Sequence, residues 1–203
     1  MANGISANNN AEKGSFYSSC QLGSHALNGA QQASIMSKVG YNLNNNHLEV
    51  GIGLGGVNTL AFEMGHETIW NKLGLDVSLK GEHNKQLFKN QESKTVQLAD
   101  DNEIALTNQY RPSDVRLGLG AEATYRPNKG VRLGLGAEAG VVIPTTENNK
   151  ININNEKVSF KHSHLPEGYV TPKVSAEVDL GKGISLIGNA NLYEQRVGIK
   201  AQF

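Results

Sequence analysis

The sequence predicts an all-β fold: an antiparallel up-and-down barrel of about ten strands, with eight to twelve compatible with the pattern. Three observations lead there. Apolar and polar residues alternate with period two through most of the chain after residue 32. A nine-residue motif, Val115–Ala123, recurs identically as Val131–Ala139, 16 residues on, which is hairpin spacing. The composition is poor in charge (19%) and in hydrophobic residues (38%) but carries 23 glycines in 203 residues, which suits strands and turns rather than helices around a wide apolar core.

Other classes are excluded early. Lys plus Arg and Asp plus Glu both total 19, so a neutral chain without a basic run has no electrostatic claim on nucleic acid. The single Cys20 allows no intramolecular disulfide and no cysteine metal cage. No apolar run is long enough for a transmembrane helix. The start, Met1–Ser6, has neither a basic head nor an apolar stretch, so no signal peptide is expected in this chain.

Residues 1–32 read as a flexible or plug-like segment ahead of a barrel at 33–203. Asn8–Asn10 and Gly14-Ser15 are loop-forming, Ser24–Gln32 suits one or two helical turns, and Cys20 is expected as an unpaired thiol in this arm. The first strand, 33–43, sets Ala33, Ile35, Val39, Tyr41 and Leu43 against Ser34, Lys38, Gly40 and Asn42. Asn44–Asn46 supply a turn. Strand 47–63 alternates Leu48, Val50, Ile52 and Leu54 with Glu49, Gly51, Gly53 and Gly55. Leu73, Leu75, Val77 and Leu79 mark strand 67–81. Strands 94–99 and 103–111 flank Asp100–Asn102.

The repeat supplies strands 114–126 and 131–144, joined by a turn at Arg126–Gly130. Strand 169–180 is expected to begin in earnest after Pro172, which cannot donate a ladder hydrogen bond. Strands 183–192 and 195–203 complete the ten, with Gly181–Gly183 as the turn between the first two of these.

The two faces of the repeat decide where the barrel sits. One face holds Val115, Leu117, Leu119, Ala121, Ala123, Val131, Leu133, Leu135 and Ala137. The other holds Arg116, Gly118, Gly120, Glu122, Arg132, Gly134, Gly136 and Glu138. A hairpin centred near Asn128 sets Arg132 diagonal to Glu122 and Glu138 diagonal to Arg116, at the ~7–8 Å of diagonal neighbours. Small residues with paired Arg and Glu suit a narrow lumen, and the leucines then face lipid. The expected fold is therefore a transmembrane β-barrel.

The last eight residues, Arg196-Val197-Gly198-Ile199-Lys200-Ala201-Gln202-Phe203, resemble the C-terminal signal strand of Gram-negative outer-membrane β-barrel proteins. Arg196, Gly198, Ala201 and Phe203 occupy the positions of that pattern. The resemblance implies recognition of this strand by the barrel-assembly machinery and residence of the mature chain in the cell outer membrane. Counting strands back from Phe203 then places segments 82–93 and 145–168 on the outer side and the turns at 126–130 and 181–183 in the periplasm. Aromatics amount to 6%, and Tyr41, Trp70, Tyr110, Tyr125, Tyr169, Tyr193 and Phe203 fall near strand ends, where membrane girdles belong.

No catalytic, cofactor or metal constellation emerges. His162-Ser163-His164 is the densest cluster of bases and nucleophiles, but neighbours in sequence on a strand point to opposite faces, and no third metal ligand has the right spacing. Gly51–Gly55 is followed by no helix and reads as strand, not as a nucleotide loop. The expected function is a non-enzymatic barrel with a narrow or plugged lumen, displaying two surface loops to an extracellular ligand or host surface, with lipid and the assembly machinery as its other partners. Two readings remain open: the translocator of an autotransporter with residues 1–32 as pore linker, and a soluble β-barrel binding module.

Overall fold

The computed structural model describes residues 14–27, 30–87, 90–97, 103–110, 113–145, 147–153, 156–162 and 165–203. All regular structure among them is β. The strands are β1 Ser15–Leu27, β2 Ala30–Leu43, β3 Asn46–Gly55, β4 Val57–Trp70, β5 Leu73–Gln86, β6 Asn90–Gln97 and β7 Glu103–Tyr110. They continue as β8 Ser113–Asn128, β9 Val131–Pro144, β10 Glu147–Ile153, β11 Glu156–His162, β12 Glu167–Gly181, β13 Ile184–Ala190 and β14 Glu194–Gln202. Ten of them close an antiparallel barrel in the order β1-β14-β13-β12-β9-β8-β5-β4-β3-β2. The other four make a separate sheet in the order β11-β10-β7-β6.

The expected strand number is met, but by a different ten. The barrel begins at Ser15, not at residue 33: β1 pairs with β2 along its whole length and with β14 from Tyr17↔Gln202 to His25↔Glu194, closing the wall. Where helical turns are expected at Ser24–Gln32, residues 24–27 and 30–32 are strand, and Cys20 lies exposed on the wall rather than in a loose arm. Residues 1–13 of the expected arm lie outside the described residues.

The expected strands 47–63 and 67–81 are three strands, β3, β4 and β5. The missed reversal is at Gly55–Val57, and the break expected before Glu67 is the interior of β4. Leu54 faces out at the end of β3, and Leu60, Phe62 and Met64 face out on β4. Even-numbered residues keep the outward face through the reversal, so periodicity runs on and hides it.

The expected barrel strands 94–99 and 103–111 fall on β6 and β7, which pair with each other outside the wall; β10, on the other long excursion, joins them at Lys150↔Gln109. Pro172 sits inside β12 opposite Ala137 instead of at its start. The pairing of β12 with β13 stops at Val174↔Ala190, so a residue without an N–H at 172 removes no rung from that ladder.

The start of β1, the end of β14 and the short turns 44–45, 71–72, 129–130 and 182–183 lie at one end of the barrel, here the turn end. Asn44, Asn71 and Lys182 take left-handed φ values of 56–58° in these reversals. The excursions between β5 and β8 and between β9 and β12 both leave from the opposite, loop end.

Candidate functional site

The barrel is inverted relative to a soluble protein. Among the described residues the buried hydrophobics are Tyr17, Leu27, Met36 and Val57, whereas Leu119 is 64% and Leu135 66% exposed on the outer wall. Leu117 and Leu133 share that outer face. At the turn end Phe16, Trp70, Tyr125 and Phe203 are exposed, and Tyr41 packs on Phe16 with ring centroids 4.7 Å apart. These form an outward aromatic belt at one level. Tyr169 and Tyr193, expected in such a girdle, instead turn inward. The Tyr169 hydroxyl donates to Glu138 Oε1 at 2.5 Å, and its ring meets Tyr193 edge-on at 5.8 Å. The side chain of Tyr110 lies outside the described residues.

The polar groups therefore converge on the lumen, which is the one interior this wall can enclose. Toward the turn end it is an ionic mesh around a cavity of about 480 Å³. Arg132 Nη2 lies 3.2 Å from Glu122 Oε1 and 3.7 Å from Asp76, while its Nε lies 3.6 Å from Glu67. Arg126 holds Glu67 at 2.6 Å, Lys173 holds Glu122 at 3.1 Å, and Lys38 holds Glu49 at 2.6 Å. Each carboxylate has a cation, so the charges are paired at the cost of partial desolvation. Gly134 makes this close approach possible: a β-carbon there would collide with the Glu122 carboxylate and with Ser175, whose hydroxyl donates to Glu122 at 2.7 Å. The glycines on the polar face of the repeat thus leave room for other residues' charged ends.

Arg116 and Glu138, expected as partners, take others. Arg116 stands opposite Val142 and Glu138 opposite Gly120, two same-face rungs apart. Each side chain finds a nearer opposite charge. Glu138 accepts from Lys80 at 3.1 Å and from Tyr169, while Arg116 turns toward the loop end to Asp114 at 3.1 Å.

That turn belongs to a closure of the lumen at the loop end, which the sequence reasoning missed. His25, Asn84 and Thr171 are 0% exposed, and Ser34, Thr59, Gln86, Asp114, Arg116 and Arg196 are buried with them under Leu27 and Val57. Thr59 donates to Asn84 Oδ1 at 2.8 Å, and Asn84 donates to Asp114 at 3.0 Å. Arg196 donates to Glu194 at 2.5 Å and to Ser34 at 3.2 Å. The remaining loop-end cavity measures about 70 Å³. The signal for this layer was present in the inward series Tyr17, Ser19, Gln21, Gly23 and His25. Its outward counterpart, Phe16, Ser18, Cys20, Leu22 and Ser24, is too polar to stand out as an apolar face.

On the expected signal strand, Arg196 is buried in this closure, and Gly198 and Ala201 pair with Gln21 and Ser18 of β1. Phe203 is 80% exposed, and its N–H donates to Phe16 O at 2.8 Å. Asp100–Asn102, Ser163 and His164 lie outside the described residues; His162 is the last residue of β11.

No family model matches the chain, and no curated protein matches it. Solved structures do. The outer membrane protease OmpT of Escherichia coli aligns over 94% of this chain and 95% of its own, with a TM-score of 0.65 at 10% identity. The translocator domain of the autotransporter NalP of Neisseria meningitidis aligns over 93% and 87%, with a TM-score of 0.48 at 12% identity. Ail, the attachment invasion locus protein of Yersinia pestis, aligns over 94% and 97%, with a TM-score of 0.42 at 10% identity. At such identity the likeness to OmpT is one of fold. The chain has the fold of a Gram-negative outer-membrane β-barrel.

Proposed function

We propose that this protein resides in the outer membrane and works through its loop end, as a non-enzymatic barrel that presents a surface for adhesion or ligand contact. One observation carries the reading: the two long excursions do not stay separate loops but join through β7 and β10 into one four-stranded sheet beyond the wall. Ordering two excursions into a shared sheet costs conformational entropy, and a persistent contact surface is a use for it. The lumen supports the same reading. Its loop end is filled by wall side chains that bond one another, which suits an anchor and not a wide pore. The likeness to OmpT brings no protease activity with it.

The translocator reading is weakened at its premise. Residues 15–27 and 30–32, which would have been pore linker, are wall strand. Lipid contacts the outer leucines in this proposal, and the assembly machinery reads the strand that ends at Phe203.

The test compares the full chain with a variant in which residues 88–111 and 146–164 are each replaced by a short Gly-Ser linker, both displayed on Gram-negative cells. The full chain is expected to bind immobilised glycans or extracellular-matrix proteins. The variant should lose that binding while keeping the heat-dependent gel shift of a folded barrel. Unchanged binding by the variant, or step conductance of the full chain in planar bilayers, overturns the proposal.

A further inference from the structure

We propose that His25, Glu82 and Glu194 form a binding site for a first-row divalent transition-metal ion, of which zinc is the best-matched probe. The inference does not depend on what the outer sheet contacts. His25 on β1 and Glu194 on β14 are direct cross-strand partners at the seam where the barrel closes. Glu82 comes from β5, which the strand order places on the far side of the ring. One ligand atom from each of the three lies within 4.8 Å of the others, inside the lumen.

A cluster of two carboxylates and an imidazole can be an ion-pair network, and the decisive observation is the imidazole. His25 is fully buried, yet neither ring nitrogen has a hydrogen-bond partner. Its Nδ1 lies 3.8 Å from Glu194 Oε2, too far for a hydrogen bond. A buried ring with no hydrogen bond is costly and calls for an explanation. A metal ion answers it, because a neutral imidazole nitrogen is a ligand with a free lone pair.

The neighbouring groups fit that role. Arg196 binds Glu194 Oε1 at 2.5 Å and leaves Oε2 turned to the histidine, an arrangement that orients a ligating carboxylate. Asn84, itself fully buried, donates toward Glu82 Oε2 at 3.4 Å. Glu82 stands opposite Arg116, which pairs with Asp114 instead, so Glu82 forms no Lys or Arg ion pair among the described residues. One of its oxygens lies within 4.8 Å of one of Glu194, and the two like charges repel. A divalent cation relieves that repulsion.

One nitrogen and two carboxylate oxygens suit zinc, manganese or iron(II) better than calcium or magnesium, which prefer all-oxygen shells. Binding draws the ligand atoms to the ~3.3 Å separations that bonds of about 2.0–2.1 Å impose, a change the long Glu82 side chain can absorb by a rotamer shift. The loop-end cavity touches both Glu82 and Glu194 and has room for a water as fourth ligand. The bound ion would tie the closing seam to the opposite wall.

The test uses the full chain, folded in detergent and stripped with a chelator, titrated with zinc against a chromophoric competitor while thermal unfolding is followed in parallel. One equivalent is expected to bind and to raise the unfolding midpoint. Glu82→Gln keeps the side chain's shape and should weaken binding by more than about tenfold and abolish the midpoint shift. His25→Ala should do the same if it folds, and Glu82→Gln decides the matter if it does not. His66→Ala, an exposed histidine near the turn end, should bind as the parent does. Absence of stoichiometric binding, or full binding retained by folded Glu82→Gln, overturns the site and leaves His25 as an ion-pair partner of Glu194.

Discussion

The guanidinium carbon of Arg116 lies 4.5 Å from the centre of the Tyr193 ring, while its Nη2 reaches Asp114 at 3.1 Å and the Ala26 carbonyl oxygen at 3.2 Å. One side chain on β8 thereby ties the β13–β14 connection to the end of β1 across the lumen. Cation–π contact, ion pair and backbone hydrogen bond all draw on the same cation, in a region with little water to compete.

Arg116→Ala should therefore be expensive. Among the described residues it leaves the buried Asp114 carboxylate with only the Asn84 side chain donating to it, and breaking a buried pair from one side costs about 3–5 kcal/mol. Urea unfolding from lipid vesicles measures the loss. A change under about 1 kcal/mol would mean that lumen water already screens the pair as it does at a surface.

Leu119 sits in the middle of β8, facing outward between Leu79 and Ala139. Leu119→Arg should cost about 2–4 kcal/mol at mid-membrane depth and reduce folding into bilayers, whereas Leu119→Met should fold as the parent does. Equal folding yields for the two variants, read from the gel shift, would contradict a lipid-facing position.

Gly134→Ala adds a single methyl group inside the lumen, where it meets Glu122 and Ser175. The Ser175–Glu122 hydrogen bond and the Arg132–Glu122 pair cannot both keep their geometry. Overpacking of this kind costs about 1–3 kcal/mol. Pairing Gly134→Ala with Ser175→Ala should recover part of the loss in a double-mutant cycle, and strict additivity would place the strain elsewhere.

Deleting Phe203 removes one backbone hydrogen bond, to Phe16, and an exposed ring. Folding into detergent should change little. On the proposal that the assembly machinery reads this strand, assembly in cells should fall sharply. A matching loss in both settings would make Phe203 a packing residue alone.

The repeat at 115–139 made the architecture legible in the sequence, because two strands with leucines on one face and glycine, arginine and glutamate on the other state both the fold and its inversion. That the two long excursions share an end opposite the short turns was legible too, because the two strands misplaced in the wall, 94–99 and 103–111, are even in number and leave the parity unchanged. Three things were not. The reversal at Gly55–Val57 preserves the inward–outward phase, so no local signal marks it. The wall strand at Ser15–Leu27 has serines and a cysteine on its outer face, and only pairing with β14 establishes it as wall.

The partners of Arg116 and Glu138 were likewise decided in three dimensions. Period-two alternation determines which face a side chain takes, and that much belongs to the sequence alone. Which opposite charge it meets there depends on which strands lie beside it and in what register, and that only the folded sheet sets. Lys80, Tyr169 and Asp114 were nearer than the expected partners, and His25 came to face Glu82 because the barrel closed between β1 and β14.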